Sequence, residues 1–417
     1  ENNFPTEIVA YTNDKKPQPE PRQRKRRTWR VVSLSIAAAV VAVNLLAWSI
    51  LTHTLRPNTT NTGSAVPTPT ATAAGVTPTT GQAGHLGKTL FVYPPAGQTP
   101  VDDFMSVGWS SDGKYISLSE FGVTLFNASN GSIVKQLGES SGSAWTSWSP
   151  DGKRLALSSS NVQIWDVQTG KVLVTYTPPS APVVSQASSN GALSALSGGN
   201  MIYDSEWSPN GKQIASAVNG YGYGYNVQVW DAATGAPVHT FEIKPNATAD
   251  DYITGVAWSA DGKYLMANSP SDGIFVWEVA SHKLVYKHAG ASRAVWAPQG
   301  HAIASGDEHG KVQVWDATTG ATQFSFQGQK NSAVSSLAWS PDGKYIAVGG
   351  SDVRIWDVTR HKLHYTYTGF GQHKNFAVNG LAWSPDSTRI VAMGVGMDVT
   401  APHTGIPLDS IRVWIAA

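Results

Sequence analysis

From about residue 104 onward, apolar positions come in short bursts separated by turn-forming residues, and one arrangement of bursts recurs. A brief apolar run ends in Trp, and a cluster of Ser, Pro, Asp and Gly follows: "WSSDG" at Trp109, "WSPDG" at Trp148, "WSPNG" at Trp207, "WSADG" at Trp258, "WAPQG" at Trp296, "WSPDG" at Trp339 and "WSPDS" at Trp383. Pro sets φ, Asp bonds its own backbone and Gly accepts positive φ, so each cluster predicts a hairpin turn. A second burst such as "KYIAV" then runs back. Next comes a period-2 segment, "VTLFN", "VQIWD", "VQVWD", "IFVWE", "VQVWD", "VRIWD" or "IRVWI", and alternation of this kind predicts a half-buried strand. Asp-x-x-Thr-Gly, as in Asp166 to Gly170, Asp231 to Gly235 and Asp316 to Gly320, turns the chain into a fourth strand such as "KVLVTY". The pattern therefore predicts seven units of four antiparallel strands. Such fixed-period self-similarity marks a repeat architecture.

Trp-Ser-Pro-Asp-Gly followed by Trp-Asp resembles the WD-repeat family of β-propellers, over residues 88–417. The resemblance implies an all-β, seven-bladed propeller of four-stranded antiparallel blades. The family's Gly-His dipeptide and the buried Asp–His–Ser–Trp network it feeds are missing from nearly every unit, and only "SGDEHGKVQVWD" (Ser305 to Asp316) approaches the fuller pattern. In this it is similar to the looser, bacterial, membrane-anchored members, with cores expected to rest on Trp and aliphatic packing. The last unit ends in a third strand, while "KTLFVYPPAGQ" (Lys88 to Gln98) matches the fourth-strand segment "KVLVTYTPPSA" (Lys171 to Ala181). Residues 88–94 are thus expected to close the ring and cover an otherwise open edge.

The N-terminal part has a different pattern. Val31 to Leu51 carries no charge, and at about 1.5 Å per residue such a stretch crosses a hydrocarbon core of about 30 Å. Residues 31–52 are expected to form one transmembrane helix; a cleaved signal peptide is the rival, but the 30 residues ahead of the span fit it poorly. Arg22, Arg24, Lys25, Arg26, Arg27 and Arg30 crowd one flank. The positive-inside rule then makes 1–30 a cytoplasmic basic juxtamembrane segment and sends the propeller outside. Residues 53–87 are rich in Thr, Pro and Ala, and a segment with so little to bury is expected to be a stalk.

Composition narrows the chemistry. The 417 residues include no Cys, which removes disulfides, thiolate metal sites and thiol nucleophiles. Residues 1–56 hold nine Lys and Arg against four Asp and Glu, and residues 88–417 hold 21 against 25. A mildly acidic body excludes the usual electrostatics of nucleic-acid binding. "GESSG" (Gly138 to Gly142) matches Gly-x-Ser-x-Gly but sits in an inter-blade loop without the strand-turn-helix elbow that motif needs. No metal-binding or phosphate-binding motif is present. No enzyme activity, cofactor or metal is therefore expected.

In an antiparallel meander the first-to-second and third-to-fourth turns share one face, and here they are short and uniform. The other face receives every insertion: 178–203, 215–227, 244–252, 368–376 and 393–410. Long loops gathered on one face predict a binding surface. The candidate ligand-binding residues are Tyr221, Tyr223 and Tyr225, alternating with glycines as in binding loops, then Asp250, Asp251 and Tyr252, and Met397, Asp398 and His403. The tyrosines have a second reading, in which the strand starts early and the rings pack on neighbouring blades. His282 and His361 stand where other units place a turn Gly and are read as structural. The expected function is an extracytoplasmic, membrane-anchored scaffold that binds a protein, peptide or cell-wall glycan without catalysis. The alternative is the sensor domain of a larger signalling protein, such as a receptor-like Ser/Thr kinase, with its cytoplasmic domain upstream of Glu1.

Overall fold

Each Trp-Ser-Pro-Asp-Gly cluster builds its turn from its own side chains. In six of the seven turns the buried Ser hydroxyl donates to the Asp or Asn two residues on, at 2.5–2.8 Å. The same hydroxyl accepts the N–H five residues on, at 2.9 Å. The opposite turns are fixed by Asp oxygens that accept backbone N–H and Thr hydroxyls, as at Asp166, Asp231 and Asp316. Where Gly170, Gly235 and Gly320 take positive φ, His282 and His361 do so as well, at 58° and 50°. Their rings lie against the preceding blade, His282 on His239 at 3.5 Å and His361 on Phe324 at 4.4 Å.

The computed structural model describes residues 86–417, apart from 95–103, 121, 139–144, 180–199, 221–223, 245–251, 292, 331, 371–375, 396, 399–405 and 408–409. The chain divides into two units, 1–73 and 74–417, and everything described lies in the second. The expected basic segment, transmembrane helix and nearly all of the stalk lie outside the described residues. Among the described residues every regular element is a strand, and no helix is long and apolar enough to cross a membrane.

The strands form seven four-stranded antiparallel sheets, the blades of a propeller. Blades 1 to 6 take their strands in chain order from residues 106–137, 145–176, 201–244, 255–288, 293–327 and 336–367. Blade 7 consists of Ala377–Trp383, Arg389–Val395, Ser410–Ile415 and, from the other end of the chain, Thr89–Tyr93. Phe91 stands opposite Val413 and Tyr93 opposite Ile411. First strands of neighbouring blades touch one another and line the axis, whereas fourth strands are the most exposed and form the rim. Within 393–410 the structure adds a small hairpin that the sequence pattern did not predict, Met397–Asp398 against Ile406–Pro407.

The core is divided into seven clusters, and each straddles one seam between adjacent blades. Near the rim, the third-strand aromatic of one blade meets the fourth strand of the blade before it: Tyr176 on Trp230 at 4.6 Å, His288 on Trp315 at 4.6 Å, Tyr367 on Trp414 at 4.0 Å and Tyr93 on Phe126 at 5.0 Å. Near the axis, the turn Trp crosses to the previous blade. The indoles of Trp148, Trp207, Trp258, Trp296 and Trp383 donate to Ser117, Ser147, Glu206, Ala257 and Ala338. Among the described residues the Ser–Trp leg of the WD-type network persists in two blades, where Trp230 donates to Ser216 and Trp315 to Ser305. The serine at blade 5 lies in the one segment whose sequence approached the full pattern.

Candidate functional site

First strands run from the variable face to the uniform face, so their opening residues ring the axis at its variable-face mouth. Three aromatic rings from three blades meet there. Trp145, the first residue of its strand, lies edge-on to Tyr203 at 5.3 Å, and Tyr203 lies 5.9 Å from Tyr252. Rings in such a row offer broad amphipathic contact with few torsions to freeze. Tyr252 is the most open of the three, at 39% exposure.

Charges sit just below the rings. The first strand of blade 3, "MIYDSEW", carries Asp204 and Glu206, and that of blade 5 begins with Arg293. An Asp204 oxygen accepts the Val256 N–H at 3.0 Å, Glu206 accepts the Ser147 hydroxyl at 2.9 Å, and Arg293 Nε donates to the Ser335 carbonyl at 3.0 Å. Burial pushes Asp204 up to about 6, held back by the N–H groups of Val256 and Ser205 and by Arg293. Burial and then the neighbouring Asp204 charge push Glu206 up to about 8, with the Ser147 hydroxyl opposing. Burial pulls Arg293 down, opposed by Tyr252 and Asp204. At neutral pH the mouth thus combines the Arg293 guanidinium with the Asp204 carboxylate, while Glu206, two residues further along the same strand, keeps its proton. Among the described residues no group of three or more His, Asp or Glu is arranged to hold a metal ion.

Of the residues singled out from sequence, Tyr252 joins this mouth. Tyr225 does not: it is 1% exposed, inside the strand Gly224–Asp231, packed in the core between blades 3 and 4 with its hydroxyl on Asp272. For Tyr225 the early-strand reading holds and the exposed-anchor reading is corrected, because the strand pairs through Asn219 and Lys244 and carries the ring inward. Tyr221, Tyr223, Asp250, Asp251 and His403 lie outside the described residues. Met397 and Asp398 fall in the small hairpin. Sequence reasoning missed Trp145, Tyr203, Asp204, Glu206 and Arg293. The available signal was charge in a strand whose other copies read "SVGW", "WTSW", "GVAW" and "SLAW".

The fold is that of a seven-bladed propeller of four-stranded antiparallel blades. Comparison with known proteins places a match to the family profile "WD domain, G-beta repeat" at residues 320–357. That stretch contains the outer strand of blade 5 and the first three strands of blade 6, so the sequence repeat and the blade are offset by one strand. The chain is similar to the anaphase-promoting complex subunit cdc20 of Dictyostelium discoideum, 32% identical over 155 residues, 36% of this chain and 30% of that protein. It is similar to the WD repeat-containing protein slp1 of Schizosaccharomyces pombe, 30% identical over 151 residues, 34% of this chain and 29% of that protein. It is also similar to the WD repeat-containing protein 26 homolog of Arabidopsis thaliana, 30% identical over 122 residues, 27% of this chain and 20% of that protein. The chain spans less than a third of the length of each of these relatives. None of the three is a bacterial or membrane-anchored protein by name, so the likeness to that looser type rests on the sequence pattern alone.

Proposed function

We propose that this chain is a non-catalytic interaction scaffold that takes up a protein or peptide partner at the variable-face mouth of its propeller, and that residues 31–52 hold it in a membrane with the propeller outside. The observation that carries the binding reading is the convergence of Trp145, Tyr203 and Tyr252 from three blades above Asp204, Glu206 and Arg293. One of the similar proteins is named as a subunit of a larger complex, which supports a partner that is itself a polypeptide. The uncharged span with six basic residues on one flank supports the anchor.

A photo-crosslinking amino acid at position 252 tests the first part. Adducts with a polypeptide are expected from 252 and not from positions 212 or 344 on the uniform face; equal labelling at all three overturns it. Protease added to intact cells tests the second: the propeller is expected to be degraded, and a protected propeller overturns the topology.

A further inference from the structure

One seam differs from the rest. The cluster between blades 5 and 6 has only small aliphatic residues fully buried, and its aromatics Phe324, Phe326, Trp339 and Trp356 are all partly exposed. Along it lies a cavity of about 890 Å³, within the roughly 300–1,000 Å³ typical of ligand sites. Its lining runs from His309 and Lys330 in loops of the variable face, past Gln327, Arg354 and Trp356, to Leu363 near the uniform face. The cavity therefore spans the height of the seam, a shape suited to an extended chain rather than a compact molecule.

Its chemistry is divided along that length. The lower part offers the half-buried Trp356 ring and Leu363, which is 42% exposed. The upper part sets two cations, Lys330 and Arg354, beside one lining acid, Glu308. Among the described residues Lys330 has no ion-pair partner, and Arg354 meets Asp352 through Nε at 3.1 Å and weakly through Nη2 at 3.5 Å, while its Nη1 has no carboxylate. The lining acid, Glu308, lies 3.7 Å from His309 with both side chains more than four-fifths exposed, so water screens its charge. Lys330 thus has spare capacity for an incoming carboxylate, and Arg354 adds its Nη1, the guanidinium nitrogen that Asp352 does not meet.

We propose that this groove binds an extended segment of a partner polypeptide in which an aliphatic side chain, seated on Trp356 and Leu363, is followed by a carboxylate held by Lys330 and Arg354. The site is separate from the channel mouth and does not depend on membrane attachment. The test uses the full chain and two fluorescein-labelled peptides, Leu-Glu-Leu-Glu and Leu-Lys-Leu-Lys, followed by fluorescence anisotropy. The acidic peptide is expected to bind with a Kd on the order of 10–100 µM and the basic one at least tenfold more weakly. Lys330→Glu, at a site remote from the core, is expected to weaken the acidic peptide at least tenfold while leaving crosslinking from position 252 unchanged. Equal affinity for both peptides, an unchanged affinity in Lys330→Glu, or no binding below about 1 mM overturns the proposal. Sedimentation supplies the remaining outcome: a self-associating chain that Leu363→Asp returns to monomer would mean that the groove holds a second copy of this protein, and the proposal fails.

Discussion

The seam between blades 2 and 3 and the seam between blades 5 and 6 are built from the same repeat and are closed to different degrees. At the first, Tyr176 stacks on Trp230 at 10° and the Trp230 indole donates to Ser216 at 2.9 Å. Nearer the axis Trp207 reaches the Ser147 carbonyl, Ser147 reaches Glu206, and the Arg154 guanidinium lies 4.6 Å above the Trp207 ring. At the second, Phe326 meets Trp356 tilted by 30°, and Val348 stands where Ser216 and Ser305 stand in blades 3 and 5. The Trp356 N–H is left without a partner. The turn Trp339 bonds its own Gly343 instead of crossing to blade 5. The ring does not need every seam equally tight: at this one the turn indole bonds within its own blade, the third-strand ring is only half-buried, and a groove runs at the height of the blade.

The largest test converts a closed seam into an open one. Phe91 and Tyr93 close the seam between blades 7 and 1, so a chain starting at residue 96 strips Ser410–Ile415 of its partner strand. It is expected to lose several kcal/mol or to aggregate, whereas a chain starting at Lys88 keeps the thermal midpoint of the full chain. Equal midpoints for the two chains would show that this strand contributes nothing.

Next in size, Trp230→Ala is expected to cost about 3–5 kcal/mol in denaturant unfolding. Trp356→Ala, at the open seam, should cost at least about 1 kcal/mol less because less of its surface is buried. Matching losses would mean the two seams are equally packed.

A pH dependence follows at the tight seam. The Glu206 carboxyl is raised from 4.5 to about 8 in the folded chain, so the folded state holds a proton that the unfolded state releases. Its contribution is complete below about pH 4.5 and fades as pH rises through about 8. The melting midpoint should therefore fall between pH 5 and pH 8, and Glu206→Gln should flatten that slope; an unchanged slope places the proton elsewhere.

The smallest effects concern single hydroxyls. Ser216→Ala leaves a buried indole N–H unpaired and should cost about 1–3 kcal/mol, whereas Val348→Thr offers Trp356 an acceptor and should add about 0.5–1 kcal/mol. Loss of stability in Val348→Thr would show that the valine methyl matters more than the missing bond.

What could be read in the sequence was local. Ser110 and Asp112, or Asp231 and Thr234, shape a turn within a few residues, so their spelling predicts their geometry. The closing strand was legible for a related reason: residues 88–98 repeat the spelling of 171–181. Seams join residues some fifty positions apart, such as Tyr176 and Trp230, and no local rule states whether the second finds the first. Of the candidate site only Tyr252 was legible, because inserted loops drew attention to Tyr225, which the strand turns into the core. Asp204 and Arg293 sit in strands, where a charge ordinarily reads as solvent-facing until the first strands are known to line the axis.

The pairing of Thr89–Tyr93 with Ser410–Ile415 also sets a schedule. The first of these strands leaves the ribosome roughly 300 residues before its partner, and at about 5–20 residues per second it waits some 15–60 s. Throughout that interval Phe91 and Tyr93 have no neighbour in blade 7, and an unpaired strand edge invites association with other chains. Six blades can be complete while the ring is still open, so the exposure lasts until Ser410–Ile415 docks beside Thr89–Tyr93.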